Sequence, residues 1–360
     1  MVETGLGDIL GGIRREVERN AVRARNGIKY VAGSEWAPRG PTASDVIWEL
    51  DKAHVRRYRR TDAAPYLQPV LVFVGLVSRS YVFDLWRGNS FVQRLMDAGF
   101  DTYVLDWGEP DASDARNTID TYVQRYLPRA VDAVLEESGA ESTNVIGYCM
   151  GGDLALLALA TDDTLPVRNL VTMATPVDFS KIPPLVLDVT AKLDVDSVLD
   201  ESGLVPASVI DSLFRIRRPT SDLVQYANLW QNLWNDDFLE AYQAMGRWLR
   251  EQVPVAGGAF RQAANEWVLD NGFMNGTLRI GGRVADFAGL RLPVLSLIAT
   301  NDDIVPEPAA AAIEDLLPNA DLSIVRIEAG HASLTVGRIA SKIAMPEITN
   351  WLAAHSEEVP

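Results

Sequence analysis

The chain has 360 residues, with 33 lysines and arginines against 49 aspartates and glutamates, so its formal net charge is −16. A surface this acidic repels a phosphate backbone, which excludes binding to nucleic acid through charge. With 48% hydrophobic and 23% charged residues, the composition is that of a globular protein that can bury a sizeable core.

The sequence carries no signal for export or for a membrane span. No stretch approaches the roughly 20 apolar residues of a transmembrane helix, and the N-terminus has no basic start followed by an apolar run. A single cysteine excludes an internal disulfide framework. We therefore expect a soluble, cytoplasmic protein. The excess of carboxylates has two open explanations, a GC-rich genome and adaptation to a high-salt cytoplasm.

Strands and helices alternate along much of the chain. Residues 1–65 are polar, have mixed periodicity and are taken as an N-terminal segment. Beyond them, runs of β-branched and aromatic residues predict buried strands at 69–74, 101–106, 144–147, 169–174, 292–299 and 322–327. Helical periodicity predicts helices at 90–98, 118–138, 153–160 and 345–354. This alternation indicates an α/β fold with a mostly parallel central sheet.

The alternation stops near Pro176 and resumes at about residue 291. Residues 177–290 contain four tryptophans and helical patterns such as 236–250, without a clear series of strands. We predict that these residues form a helical cap, inserted into an α/β core made of residues 66–176 and 291–360.

The segment 144–153 carries the clearest chemical signal. A strand runs into Gly147-Tyr-Cys-Met-Gly-Gly152 and a helix follows, which is the nucleophile-elbow pattern G-x-S-x-G with Cys149 in place of serine. Glycines are needed on both sides because the tight turn brings backbones too close for Cβ atoms. Free N–H groups at the start of the helix favour an anion such as a thiolate. We therefore predict that Cys149 is a nucleophile rather than a buried structural cysteine.

A base and an acid are expected after this nucleophile, in the order acid, then histidine. His331 lies just past the last predicted strand, whereas His54 precedes the first strand and His355 lies in the C-terminal tail. Asp302 and Asp303 both follow the strand 292–299, and their position at the strand end does not distinguish them. His331 is the predicted base, and one of the two aspartates is the predicted acid.

The same arrangement predicts an oxyanion hole made of two backbone N–H groups. One belongs to Met150, directly after the nucleophile, and we assign the other to Val77, in the loop after the strand 69–74. Attack of a thiolate on a thioester gives another thioester, so the acyl group keeps its transfer potential. This favours acyl transfer from a CoA thioester over hydrolysis of an ester. We expect CoA thioester as substrate, with no cofactor and no metal.

At residues 40–352 the chain resembles the polyhydroxyalkanoate synthases, and among them the short class III catalytic subunit that works with a second subunit. The resemblance rests on the cysteine box together with Phe73-Val-Gly-Leu-Val-Ser-Arg-Ser80, Leu105-Asp-Trp-Gly-Glu-Pro110, Arg168-Asn-Leu-Val-Thr-Met-Ala174, Gly257-Gly-Ala-Phe-Arg261 and Gly330-His331.

The resemblance implies an α/β-hydrolase core that polymerises (R)-3-hydroxyacyl-CoA, with 3-hydroxybutyryl-CoA as the expected short-chain monomer, and releases CoA. Cys149 would carry the growing chain as a thioester, and His331 would activate it. Asp302 would activate the 3-hydroxyl of the incoming monomer. The family pattern Asp-His-Ile/Leu-Val-Pro maps onto residues 302–306 and selects Asp302 over Asp303.

The chain departs from the family at two places. Asp303 stands where the family usually has histidine, and Ala332-Ser333 replaces the usual Ile-Gly after His331. The resemblance also implies a homodimer that associates with a PhaE-type subunit on the surface of polymer granules.

Two other functions remain open at this point. One is a cysteine hydrolase or thioesterase similar to dienelactone hydrolase, which shares the Gly-Tyr-Cys-x-Gly-Gly box but is normally shorter and lacks the inserted cap. The other is a non-catalytic granule-associated subunit, which would not need Cys149, Asp302 and His331 in working order.

Overall fold

The computed structural model describes residues 3–31, 39–215, 229 and 231–359. In these residues the large sheet has eight strands, numbered here in chain order: β1 Ser44–Leu50, β2 Ala53–Tyr58, β3 Val70–Val74, β4 Thr102–Asp106, β5 Thr143–Tyr148, β6 Val167–Met173, β7 Pro293–Ala299 and β8 Asp321–Ile327. Their order across the sheet is β1-β2-β4-β3-β5-β6-β7-β8. Only the pairs β1–β2 and β2–β4 are antiparallel among these strands. The predicted α/β fold with a mostly parallel sheet is confirmed.

The first two strands of the sheet lie in residues 1–65, which the sequence pattern placed in a separate N-terminal segment. β1 and β2 form a hairpin around Asp51, whose φ is 53°, and β2 continues the sheet by pairing with β4. Ala53 and Val55 are buried, while His54 and Arg56, which alternate with them along β2, are half-buried. The sheet therefore begins at Ser44. The end of the N-terminal segment at residue 65 falls between β2 and β3, which are strands of the same sheet.

Helices cover both faces of the sheet. Ser90 caps the first of them, because its Oγ accepts a hydrogen bond from the backbone N–H of Gln93 at 3.1 Å. Gly139, at φ 72°, ends the long helical stretch before β5. The α- and π-helical segments that follow β2 and lie outside the cap are Phe91–Asp97, Ile119–Thr121, Tyr122–Tyr126, Leu127–Ser138, Met150–Thr161, Glu307–Ala311, Ile313–Leu316, Gly337–Ile339, Ala340–Ala344 and Met345–His355.

Residues 177–290, called the cap here, leave the sheet after β6 and return to it at β7. The described helical segments of the cap are Pro184–Lys192, Ala207–Arg215, Asp236–Arg250, Gly257–Gln262, Ala263–Leu269 and Gly272–Asn275. Its described strands form two short pairs, Leu204–Val205 with Val255–Ala256 and Arg279–Ile280 with Arg283–Val284, and none of them joins the large sheet. Trp267 packs on Phe179 and Phe273 inside the cap. Trp230, one of the four tryptophans of this segment, lies outside the described residues.

A polar helix, Glu3–Val31, packs against the cap. Asn26 is fully buried there and donates hydrogen bonds to the carbonyl of Leu233 at 2.8 Å and to Oδ1 of Asp236 at 2.7 Å. Tyr30 contacts the ring of Tyr242. Although this helix has 29 residues, neither it nor any other helix in the described part of the chain is long and apolar enough to cross a membrane.

The helix Met150–Thr161 is buried on almost all sides between the sheet and the helices around it. It contains one ionisable residue, Asp153, which is 1% exposed. Neither oxygen of its carboxyl group has a hydrogen-bond partner among the described residues. Burial, and secondly the negative charge of a thiolate at nearby Cys149, raise the pKa of Asp153 well above its usual range.

Replacing Asp153 with asparagine is expected to stabilise the protein increasingly as the pH rises from 5 to 8. The folded wild type keeps the carboxyl group protonated, whereas the unfolded chain loses the proton above about pH 4, so raising the pH favours unfolding by up to about 1.4 kcal/mol per pH unit. Urea unfolding at pH 5, 6.5 and 8 measures this difference. Asp163→Asn, at an exposed position beyond the end of the same helix, is the control. Parallel pH curves for Asp153→Asn and the wild type would show that the buried carboxyl group does not titrate in this way.

Candidate active site

The strand β5 passes into the helix Met150–Thr161 through one residue in an unusual conformation. Cys149 has φ 54° and ψ −128°, a region that costs energy for any residue with a side chain. Its N–H donates to the carbonyl of Met173 at 2.8 Å. Its carbonyl accepts hydrogen bonds from the N–H of Gly152 at 2.8 Å and from Oγ1 of Thr175 at 3.1 Å. These contacts hold Cys149 at the start of the helix, beyond the end of β5.

The glycines around Cys149 are required by close backbone contacts. A Cβ atom added at Gly147 would lie 2.6 Å from the Cα of Gly152, and one added at Gly151 would lie 2.7 Å from the carbonyl oxygen of Phe73. A Cβ atom at Gly152 would collide with Oγ1 of Thr175. The structure therefore has the tight strand-to-helix turn at Cys149 that the glycine pattern predicts.

Two further predicted residues meet at the same edge of the sheet, because Asp302 follows β7 and His331 follows β8. His331 Nδ1 lies 2.6 Å from Oδ2 of Asp302, and the two side chains are 9% and 0% exposed. The other carboxylate oxygen, Oδ1, accepts hydrogen bonds from the N–H groups of Ile304 at 2.7 Å and Val305 at 2.9 Å. The neighbouring candidate Asp303 is exposed. Of the two aspartates, Asp302 is thus the one paired with the histidine.

The charge state of His331 is coupled to Cys149. Burial disfavours a charged imidazole, but the negative charge of a Cys149 thiolate and the hydrogen bonds of the ring to Asp302 and Cys149 outweigh it. Together they raise the pKa of His331 well above its ordinary value of 6.5. The imidazolium form of His331 is therefore favoured at neutral pH, beside the Cys149 sulfur.

Tyr148 is a residue of the site that the sequence reasoning passed over. Its ring lies 5.1 Å from the His331 ring, measured between centroids, and its hydroxyl donates to the backbone carbonyl of His331 at 3.2 Å. This contact fixes the segment that carries the histidine. The available signal was the position of Tyr148 inside the cysteine box, directly before the nucleophile.

The loop of residues 75–79, called the β3 loop here, lies against the start of the helix Met150–Thr161. A Cβ atom at Gly75 would lie 2.5 Å from the Cβ of Met150. The first N–H groups of a helix have no partner within it, so the Met150 N–H is the kind of donor that an oxyanion hole needs. Val77, the second predicted donor, lies in the β3 loop and packs against the core. The oxyanion hole itself stays a prediction.

The arrangement suits nucleophilic chemistry on a carbonyl group. It combines a cysteine at a helix N-terminus, a buried histidine, a carboxylate bonded to that histidine and backbone donors nearby. In the described part of the chain, no three His, Cys, Asp or Glu side chains are grouped so that they could hold a metal ion.

Comparison with known proteins identifies the family. A sequence model of the alpha/beta hydrolase fold matches residues 68–337. The poly(3-hydroxyalkanoate) polymerase subunit PhaC of Allochromatium vinosum is 33% identical over 331 residues, which cover 91% of this chain and 92% of that protein. The PhaC subunit of Haloferax mediterranei is 31% identical, over 88% of this chain and 65% of that longer protein.

Solved structures support the fold alone. The crystal structure of E-2-(acetamidomethylene)succinate hydrolase superposes with a TM-score of 0.51 at 17% identity, over 87% of this chain and 99% of that one. The resemblance to the polyhydroxyalkanoate synthases and the α/β-hydrolase fold are both confirmed. The chain belongs to the poly(3-hydroxyalkanoate) polymerase PhaC family and has the alpha/beta hydrolase fold.

Proposed function

We propose that this protein polymerises (R)-3-hydroxyacyl-CoA into polyhydroxyalkanoate and that Cys149 carries the acyl group as a thioester. The observation that supports it most is the buried ion pair: His331, bonded to Asp302 at 2.6 Å, faces a cysteine held at a helix N-terminus, in a chain of the PhaC family. Thiolate and imidazolium are the charge states with which acylation begins.

Acylation uses the groups at the elbow. The Cys149 sulfur attacks the thioester carbonyl, and the negative charge on the carbonyl oxygen is stabilised by the N–H groups of Met150 and Val77. The bond from the carbonyl carbon to the CoA sulfur then breaks. His331 gives its Nε2 proton to that sulfur, so free CoA leaves and the imidazole becomes neutral. The acyl group remains on Cys149 as a thioester.

Elongation reverses the direction of proton transfer. The 3-hydroxyl of a second acyl-CoA gives its proton to neutral His331, and its oxygen attacks the acyl-Cys149 carbonyl. The new ester bond forms as the carbon–sulfur bond to Cys149 breaks, which restores the thiolate and the imidazolium. The product is a longer acyl-CoA that can acylate Cys149 again.

In both acylation and elongation, Asp302 is placed to orient the His331 ring and to stabilise its protonated form. The resemblance implies instead that it activates the substrate hydroxyl directly. Its two oxygens, however, already accept three hydrogen bonds, from His331, Ile304 and Val305, and its side chain has no exposed surface. We therefore propose that Asp302 acts through His331, which contacts the hydroxyl on the other side of its ring.

Two alternatives predict different products from the same site. A cysteine hydrolase would use water in place of the second hydroxyl and would release 3-hydroxybutyrate without polymer. A non-catalytic granule subunit would have no need for a strained cysteine beside a buried ion pair, and the retention of both speaks against it. The family relation favours polymerisation over hydrolysis.

The proposed working unit is a homodimer associated with a PhaE-type subunit at the surface of a polymer granule. Support for these partners, and for short-chain monomers, is the family relation alone. The proposal includes no cofactor, because the thioester substrate brings its own activated acyl group.

Cys149→Ala is expected to abolish CoA release from (R)-3-hydroxybutyryl-CoA, with a loss of at least about 10³-fold, because it removes the nucleophile proposed to carry the acyl chain. Release is followed with a thiol reagent, and insoluble polyester is quantified in the same reaction. The assay is run with and without a class III partner subunit, at low and high KCl. Cys149-dependent release that yields only free 3-hydroxybutyrate would indicate a hydrolase, and no release from the wild type under any condition would indicate a scaffold.

Asp302→Asn is expected to slow both the first, single-turnover release of CoA and steady-state polymerisation, each by about 10²–10⁴-fold. The amide keeps the shape of the carboxyl group but removes the charge that supports the imidazolium. Rapid-quench measurement separates the two phases, and Asp303→Asn, at the exposed neighbour, should leave both unchanged. A fast first release with slow polymerisation would contradict the orienting role and support direct activation of the hydroxyl by Asp302.

The pH dependence of thiol alkylation reports the ion pair. The raised pKa of His331 keeps the imidazolium charged across neutral pH, and a cation beside a sulfur atom promotes its alkylation, so alkylation of wild-type Cys149 by iodoacetamide should change little between pH 6 and 8. In His331→Gln the rate at pH 6 should fall at least about tenfold and then rise with pH, as for an unassisted thiol. Equal pH profiles for the two proteins would contradict the pairing.

A further inference from the structure

The β3 loop is bonded to the cap through two hydrogen bonds that run in opposite directions. The indole Nε1–H of Trp248, in the last turn of the cap helix Asp236–Arg250, donates to the carbonyl of Arg79 at 3.1 Å. The Arg79 guanidinium Nε–H donates to the carbonyl of Glu251, directly after that helix, at 3.2 Å. A side chain of the cap thus binds a backbone carbonyl of the β3 loop, and a side chain of the loop binds a backbone carbonyl of the cap, about 170 residues apart in sequence.

Side chains around these two bonds reinforce the contact. The Tyr81 hydroxyl donates to Oε2 of Glu251 at 2.8 Å, and Arg39 forms a salt bridge with the same carboxylate. The hydrogen bond from Arg39 holds the pKa of Glu251 below its usual range, so the carboxylate stays charged. The other end of Arg79 binds Glu109 at 2.7 Å. Trp248 is 7% exposed, so its hydrogen bond is shielded from water.

The β3 loop is anchored to the core at its beginning. Trp107 Nε1–H donates to the carbonyl of Val74 at 2.7 Å, and Gly75 lies against Met150. Val77 therefore lies between a first anchor on the core and a second anchor on the cap. The direction of its N–H depends on both anchors, because a loop this short cannot change one end without turning the peptide groups between them.

We propose that Trp248 and Arg79 are positioning residues that set the β3 loop for catalysis, so that the oxyanion hole is complete only when the cap helix is seated on the loop. This inference rests on the proposed acyl transfer at Cys149. It gives the cap a part in catalysis. The hydrogen bond from Trp248, about 170 residues from the β3 loop in sequence, would then affect the stabilisation of the transition state rather than the binding of the acyl group.

Trp248→Phe tests the inference, because it keeps an aromatic ring and removes the N–H donor. Acylation of Cys149 by p-nitrophenyl butyrate and by (R)-3-hydroxybutyryl-CoA is expected to fall about tenfold, in kcat rather than KM, since a full oxyanion donor is worth about 10²–10³-fold. Alkylation of Cys149 by iodoacetamide should stay within about twofold of the wild type. That displacement needs the thiolate but forms no oxyanion.

Trp267→Phe is the matched control. Trp267 is also a buried tryptophan of the cap, 3% exposed, and its Nε1 has no hydrogen-bond partner in the described part of the chain. Its replacement should leave the acylation rates unchanged. Arg79→Met removes the second hydrogen bond and should reproduce the Trp248→Phe pattern, which keeps the test valid if the tryptophan variant folds poorly by circular dichroism.

The possible results separate this inference from the proposed function. Equal acylation in wild type, Trp248→Phe and Arg79→Met, or an equal fall of acylation and alkylation, would overturn the positioning role. If the wild type accepts the nitrophenyl ester but not the CoA thioester, the proposed function fails, while the ester still tests the positioning role. A fall in the acylation rate of both variants, with the rate of alkylation unchanged, supports the inference.

Discussion

The close approach of one helix to two strands determines the rest of this site. The helix Met150–Thr161 begins so near β3 and β5 that Gly147 and Gly151 cannot carry a Cβ atom, and Cys149 is turned to a positive φ. Gly152 is closed in the same way by Thr175, which follows β6. Backbone strain of this kind persists only where the surroundings enforce it, here through hydrogen bonds to Met173 and Thr175. The result is a sulfur atom presented at a helix N-terminus, at the edge where β7 and β8 deliver Asp302 and His331.

Charge is distributed around this turn in an ordered way. One carboxylate, Asp302, is fully bonded and supports a positive imidazole, whereas the other buried carboxyl group, Asp153, has no partner and stays protonated. A second negative charge at Asp153 would oppose the thiolate at Cys149. The charged pair of the site is therefore the Asp302 carboxylate and the His331 imidazolium, beside the Cys149 sulfur. Burying Asp153 without a hydrogen-bond partner lowers the stability of the folded protein, and this cost arises next to the reactive Cys149.

The sequence predicted those parts of the fold that depend on local patterns. A strand buried on both faces, such as β3, appears as a continuous apolar run, and the glycine box requires one kind of turn. The hairpin β1–β2 was missed because β1 has no fully buried residue and β2 places histidine and arginines between its buried ones, which hides the apolar pattern. Asp302 could not be told from Asp303 by strand position alone; the family pattern made the choice, and the fold pairs Asp302 with His331. The bond between Trp248 and Arg79 joins residues 169 apart, and no local pattern records it.

The most direct test of the account is to look for the acyl chain on Cys149 itself. The wild type is mixed with (R)-3-hydroxybutyryl-CoA, quenched with acid within milliseconds to seconds, digested, and the peptide containing residues 144–153 is analysed by mass spectrometry. We predict that this peptide gains the mass of one or more 3-hydroxybutyryl units, and that neutral hydroxylamine removes them as expected for a thioester. Polymer formation with an unmodified Cys149 peptide at every time point, or acyl groups bound to another residue, would contradict it.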